Sequence, residues 1–132
     1  RHLIQVCANE PTLRDLLSNH HYRQQLAATW TDIEIIKSYV LDITKRLEQG
    51  GRIGQYGSLM KLHWSEAHQR FATLANEMLS MGWASNTPEM INASRRFEEI
   101  YLLSRAETIF AGTTEIQLGI IADRILQLPR ES

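Results

Sequence analysis

The spacing of the apolar residues constrains the fold of this sequence more than any other feature. Apolar side chains recur every three or four residues, the period of an amphipathic α-helix, and no stretch shows the two-residue alternation of a half-buried β-strand. From Pro11 to the Gly50-Gly51 pair this spacing predicts one long helix, with Pro11 in its first turn. Lys45 and Arg46 precede the glycines, as expected for cations at a helix C-terminus.

A second helix is predicted from about Gln55 to Met81, and Gly82 ends it. Its apolar residues fall on one face. They are Met60, Trp64, Ala67, Phe71, Leu74, Met78 and Met81. Residues 83–89 are rich in turn formers and are predicted to be a loop, after which the helical spacing resumes over about 89–107.

The last predicted helix begins at Thr114, which together with Gln117 has the spacing of a capping box. Its apolar stripe ends before Pro129. The stripe consists of Ile116, Ile120, Ile121, Ile125 and Leu128. Residues 1–9 also look helical, so the sequence is expected to begin inside an element and to be a fragment of a longer protein.

These segments predict an all-α fold in which about four helices form an antiparallel bundle. We interpret residues 1–132 as a single helical domain. The helices can bury their apolar stripes only against one another, so the long helices must pack side by side.

Charge and composition exclude several classes of function. Lys and Arg number 14 against 15 Asp and Glu, a formal net charge of −1, so the chain lacks the basic surface on which nucleic-acid affinity depends. No apolar run approaches the roughly 20 residues of a transmembrane helix, and no signal peptide is recognisable. Cys7 is the only cysteine, which excludes an internal disulfide and fits a reducing compartment. We therefore predict a cytoplasmic protein with no nucleic-acid or membrane partner.

Histidines and tryptophans give no metal or stacking site. His63 and His68 are five residues apart, roughly 140° around a helix, whereas ligands of one ion need a separation of three or four. Ordinary hydrogen-bonded or exposed histidines are the preferred interpretation, and no metal is expected. The three tryptophans are predicted to be core or interface anchors. They are Trp30, Trp64 and Trp83.

Residues 111–117 place a tight turn directly before a helix N-terminus. Unpaired backbone N–H groups and the positive dipole end can bind an anionic or carbonyl-bearing ligand at such a place. A simple helix-to-helix turn with a good cap explains the same residues, so both interpretations remain open from the spacing alone.

Several runs of residues resemble the C-terminal end of acyl-CoA dehydrogenases. They are Ser-Arg-Ala at 104–106, Ile-Phe-Ala-Gly-Thr-Thr-Glu-Ile-Gln at 109–117, Ile-Ile-Ala-Asp-Arg-Ile-Leu at 120–126 and Leu-Pro-Arg at 128–130. Upstream, Lys-Leu-His-Trp-Ser-Glu-Ala-His-Gln-Arg at 61–70 is similar to the corresponding helix of a bacterial branch of that family. Residues 1–50 match mainly in their helical layout.

The resemblance implies the C-terminal helical domain of an FAD-containing enzyme that converts an acyl-CoA into a 2-enoyl-CoA. It implies that Gly112 lies near the substrate and that Thr113 and Glu115 lie near FAD. Many members carry the catalytic base, a glutamate, immediately before the Gly-Thr pair, but this sequence has Ala111 there. A methyl group accepts no proton, so no catalytic residue is assigned and the base is expected elsewhere.

Two further departures concern the flavin. Many members have a glycine-rich loop that receives the adenine half of FAD from a neighbouring subunit, but residues 79–85 keep only Gly82. The expected Arg-x-x-Phe-Gly segment is absent around residues 1–9. Such losses resemble one partner of two-subunit members of the family.

The leading expectation is therefore a domain that contributes to an FAD site and to assembly with other subunits of a homo- or hetero-oligomer, with an acyl-CoA as substrate. The fragment alone should be inactive. The alternative is a non-catalytic helical subunit that mediates oligomerisation and has lost the chemistry.

Overall fold

The computed structural model describes residues 1–54 and 56–129, and these are helical with no strand. Five α-helices follow one another: α1 (His2–Asn9), α2 (His20–Glu48), α3 (Tyr56–Ser80), α4 (Pro88–Glu107) and α5 (Thr114–Arg124). A 3₁₀ turn, Arg14–Leu17, lies between α1 and α2. The predicted all-α bundle is confirmed. The predicted helix start at Gln55 and the motif residue Arg130 lie outside the described residues.

The predicted single helix from Pro11 to Gly50 is wrong in its first part, because the chain turns between residues 10 and 19. Leu13 is fully buried in the core, and the turn brings it there. Asn19 then starts α2 by accepting a hydrogen bond from the backbone N–H of His21 at 2.9 Å. Asparagine is among the best N-cap residues, so this residue carried a helix-start signal that the apolar spacing concealed.

The end of α2 and the start of α4 follow from local sequence signals. Helix α2 ends as predicted before Gly50, which has a φ of +77°. Helix α4 begins with Pro88, and the Thr87 hydroxyl accepts from the Met90 N–H at 3.2 Å. Short connections join α2 to α3 and α3 to α4, as in antiparallel neighbours of a bundle.

Helix α3 is the central element, since it packs against α1, α2, α4 and α5. Small side chains on several of its sides are buried and let the neighbouring helices approach closely. They are Ser65, Ala67, Ala72 and Ala75. Leu74 and Met78 lie in the core as predicted, whereas the predicted core residues Trp64 and Met81 are partly exposed. The single-face prediction fails because a central helix is buried on more than one side.

The main core lies between α1, the 3₁₀ turn, α3 and α4. It is formed by buried residues of α1, α3 and α4, by Leu13 directly before the 3₁₀ turn and by one residue of α2. These are Leu3, Cys7, Leu13, Tyr22, Leu74, Ala75, Met78, Leu79, Met90 and Phe97. Burial of Cys7 raises the pKa of its thiol above the usual value, so the thiolate form is disfavoured.

The tryptophans are not core residues. Trp83 is 84% exposed, Trp30 53% and Trp64 38%. The core interpretation of these side chains is wrong, and their role as interface anchors stays a prediction. Across residues 1–54 and 56–129, no helix combines the length and the hydropathy that a bilayer span requires.

Leu13 provides a test of the core. We expect Leu13→Ala to lower the free energy of unfolding by about 2–5 kcal/mol, because it opens a cavity where the side chain is fully buried. Leu41→Ala, at a leucine that is 61% exposed, is the control and should change it by less than about 0.5 kcal/mol. Urea unfolding followed by circular dichroism measures both, and equal effects would contradict the assigned core.

Candidate functional site

The chain between α4 and α5 forms a tight turn with two residues in the left-handed region. Ala111 has a φ of +58° and Gly112 a φ of +95°. Glycine adopts this conformation without steric cost, whereas alanine is strained there. A turn with such a backbone must be held by contacts from outside it.

Thr113, rather than Thr114, is the N-cap of α5. Its hydroxyl accepts from the Ile116 N–H at 3.4 Å. Gln117 does not complete a capping box, because its side-chain amide donates instead to the Ala111 carbonyl at 2.8 Å. The predicted capping box is therefore wrong: the N-cap lies one residue earlier, at Thr113, and the buried Gln117 holds the turn instead.

The predicted apolar stripe of α5 faces the bundle only in part, since Ile120, Ile121 and Ile125 are half-buried. Gln117 is the buried residue of the helix, whereas Ile116 is 57% exposed. The helix ends at Arg124, so Leu128 lies beyond it and is exposed. Gln117, Ile120 and Ile121 therefore lie on the inner side of α5, whereas the two ends of the predicted stripe do not.

Lys61 of α3 reaches the same turn from the other side. Its ammonium group donates to the Gly112 carbonyl at 2.5 Å and lies 3.5 Å from the Thr108 carbonyl at the end of α4. The sequence placed Lys61 within a family-like run but predicted no role for it. The only sequence signal for such a role was its position, because Lys61 is a single cation between apolar neighbours in the N-terminal half of the helix.

A polar network fastens the last turn of α4 to α3 beside the site. His68 Nδ1 lies 2.5 Å from a carboxylate oxygen of Glu107, which is buried. The Gln69 amide donates to the Thr108 hydroxyl at 3.0 Å, and Arg105 donates to the Gln69 side-chain oxygen at 3.2 Å. Hydrogen bonds between partly buried polar groups of this kind fix the relative position of the two helices.

The histidines of the rejected metal motif have different partners. His68 pairs with Glu107 of α4, whereas His63 Nε2 lies 3.5 Å from Asp32 of α2. Each histidine therefore serves a contact between α3 and another helix.

Glu115 lies in the first turn of α5 and is exposed. The Thr113 hydroxyl and the backbone N–H of Glu115 itself lower the pKa of its carboxyl below the usual value. A carboxylate whose pKa is lowered is a weaker base, so these contacts do not favour Glu115 as a general base. Ala111, at the family's base position, presents only an exposed methyl group.

Gly82 has a packing role that does not fit a phosphate-binding loop. A Cβ atom at Gly82 would lie 2.9 Å from the Met90 side chain and 3.2 Å from Leu13. The missing side chain thus makes room for the core, not for a ligand. Gly82, the one glycine of residues 79–85, therefore offers no open backbone for the adenine half of FAD.

The backbone of the turn can be tested with two glycines. We expect Gly112→Ala to cost about 1–3 kcal/mol of stability, because alanine is strained at positive φ. Its Cβ would also lie 2.6 Å from the Gln117 amide nitrogen. Gly119→Ala, inside α5 where a Cβ meets nothing within 4 Å, should stabilise by about 0.5–1 kcal/mol. Thermal unfolding measures both, and a neutral Gly112→Ala would contradict this backbone.

The Thr113 hydroxyl can be tested through Glu115. Thr113→Val removes the donor, so the pKa of Glu115 should rise toward its usual value. Because the folded-state pKa is lowered, the stability that this contact supplies is present above the unfolded pKa and lost as the pH falls through the folded pKa. A ¹³C NMR titration of the carboxyl carbon measures the pKa. Thr31→Val is the control, since its hydroxyl binds the Ala27 carbonyl in α2, and an unchanged pKa in Thr113→Val would refute the contact.

Comparison with known proteins shows the family of the chain. The protein-family profile described as "Acyl-CoA dehydrogenase, C-terminal domain" matches residues 1–126. The chain is 37% identical over 109 residues to the acyl-CoA dehydrogenase IpdE1 of Mycolicibacterium smegmatis, covering 83% of this chain and 26% of that protein. It is 34% identical over 115 residues to IpdE1 of Mycobacterium tuberculosis, covering 83% of this chain and 27% of that protein.

The chain thus spans about a quarter of the length of these curated relatives. No solved structure matches it at a significant level. The profile covers all five helices and the turn before α5. On this evidence, the chain belongs to the acyl-CoA dehydrogenase family, as a C-terminal helical domain.

Proposed function

We propose that this chain acts as the C-terminal domain of a flavin-dependent dehydrogenase that introduces an α,β double bond into an acyl-CoA thioester. In this role it contributes Gly112, Thr113 and Glu115 to the reaction site and supports the assembly of subunits. The observation that carries the proposal is the turn at residues 111–113, which is held by side chains from two helices at the exposed start of α5.

The start of α5 suits a ligand with anionic or carbonyl oxygens. The first N–H groups of a helix have no partner within the helix, and the dipole places positive potential there. Gly112 lets the turn adopt its positive φ, and its missing side chain makes room for the Gln117 amide. In α5 the Ile116 N–H donates to the Thr113 hydroxyl and the Glu115 N–H to its own carboxylate. In the proposed enzyme, the N–H groups of residues 112 and 113 would therefore stabilise negative charge on the thioester carbonyl as the α-proton leaves.

FAD, when bound, supplies the acceptor for the β-hydrogen, which leaves as a hydride. In this proposal, the Thr113 hydroxyl and the Glu115 carboxylate would hold the ribityl part of FAD and its neighbourhood. The adenine half must be held by residues other than 79–85, where Gly82 serves the core. A partner subunit of the same or a different sequence would provide them.

The base that removes the α-proton is proposed to lie outside this chain. Ala111 has no proton acceptor, and Glu115 has a lowered pKa. A carboxylate on another part of the complete protein would then complete the site. A cytoplasmic location is part of the same proposal.

The second candidate is a helical subunit that only mediates assembly. Large apolar side chains are exposed on α4, on the turn and on α5, and exposed apolar surface can mark interaction sites. They include Leu102, Leu103, Ile109, Phe110, Ile116 and Leu118. Together with Ala111 at the base position, this surface is also what a non-catalytic partner would present.

The complete protein discriminates the two candidates. We expect the complete protein to purify yellow with FAD and to reduce an artificial electron acceptor when an acyl-CoA is added. The isolated 132-residue chain should lack this activity. Protein that stays colourless with added FAD, shows no thioester-dependent reduction, and keeps the same flavin stoichiometry after mixing with a candidate partner would favour assembly alone.

Glu115→Gln in the complete protein tests where the base lies. With saturating FAD we expect turnover to stay within about tenfold of the unmodified enzyme, because loss of a general base costs about 10²–10⁴-fold. Ala111→Gly serves as the matched change at the family's base position, and it should behave in the same way. A fall of 10²–10⁴-fold in Glu115→Gln alone would instead assign the base to Glu115.

A further inference from the structure

We propose that Lys61 is a positioning residue, which aims the backbone N–H group of Thr113 at the ligand bound at the start of α5. The inference rests on the proposed function, since it concerns the same FAD and thioester site. It assigns a role to a side chain of α3 that touches no ligand itself and acts through the peptide groups of the turn.

The geometry of Lys61 supports an anchoring role. Its Nζ atom contacts the carbonyls of Gly112 at 2.5 Å and Thr108 at 3.5 Å. One half-buried ammonium group thereby ties together the end of α4, the turn and α3. Hydrogen bonds from a charged donor are shorter and stronger than neutral ones, so this contact can hold a strained turn.

Because the peptide group is planar, the contact of Lys61 with a carbonyl also sets the direction of the next N–H group. No peptide bond of the described residues is cis, and in a trans peptide the C=O and the N–H point in opposite directions. Because Lys61 binds the Gly112 carbonyl, the N–H of Thr113 must point away from Lys61. Gln117 fixes the preceding peptide in the same way, since it binds the Ala111 carbonyl at 2.8 Å.

The two anchors therefore set the directions of two successive N–H groups. Neither direction is fixed by the turn alone, because Ala111 at φ +58° is strained and Gly112 at φ +95° is conformationally permissive. The charge of Lys61 also lies beside the last carbonyls of α4, where a cation is favoured by the helix dipole. Removal of this ammonium group should free the turn without opening the core.

The first experiment measures the turn itself in the complete protein without FAD. Hydrogen–deuterium exchange of residues 108–118 should rise at least about fivefold in Lys61→Met, because a charge-assisted hydrogen bond is lost. Lys61→Arg, which keeps a cationic donor, should recover most of the protection. Lys37→Met is the matched control, since Lys37 lies on α2 and pairs only with surface groups, and exchange at 108–118 should not change.

The second experiment measures the effect on the ligand, with FAD itself as the probe. In a fluorescence titration we expect Lys61→Met to bind FAD about tenfold more weakly, and Lys61→Arg to recover most of the loss. The visible absorption band of the bound flavin should shift in Lys61→Met, because Thr113, which is proposed to hold the ribityl part, moves with the turn. Lys37→Met should alter neither property.

The outcomes separate this inference from the proposed function. If the unmodified protein binds FAD but Lys61→Met leaves exchange, affinity and spectrum unchanged, the role of Lys61 is refuted and the proposed function stands. Faster exchange with unchanged affinity and spectrum also refutes it, since Lys61 would then only stabilise the turn. If the unmodified protein binds no FAD, the proposed function fails and the positioning role toward FAD fails with it.

Discussion

The burial of α3 on several sides is the constraint on which the rest of the structure depends. Four other helices pack on it, and its small residues Ala67, Ala72 and Ala75 bring their backbones close. Because the connections are short, α2 and α4, which precede and follow α3 in the chain, lie beside it in the bundle. Because interiors are densely packed, the position of α3 fixes where α4 ends and where α5 can begin.

The polar contacts of α3 then place the candidate site. His68 and Gln69 bind the last turn of α4. Lys61 binds the carbonyl of Gly112, in the turn that follows α4. These contacts lie on one helix within three turns of one another. The central helix thus serves both as the core of the bundle and as the support of the turn before α5.

The sequence allowed the fold class and most helices to be predicted, because apolar spacing and glycine positions report burial and helix ends directly. It did not reveal the break before Asn19, since Leu13, Leu16 and Leu17 keep a helical spacing although Leu13 is buried by a turn. The turn at Gly112 was located from its residues. Its anchor Lys61 was not, because Lys61 lies 51 positions from Gly112 and such contacts depend on packing rather than on local spacing.

Cys7 has a consequence for how this domain can be observed. It is the only thiol in the chain, and its side chain is wholly enclosed between α1 and the core. An alkylating reagent can modify it only when that region opens, so the rate of modification counts opening events of the native molecule. The alkylation rate of Cys7 therefore reports local unfolding of this region, and no label has to be introduced.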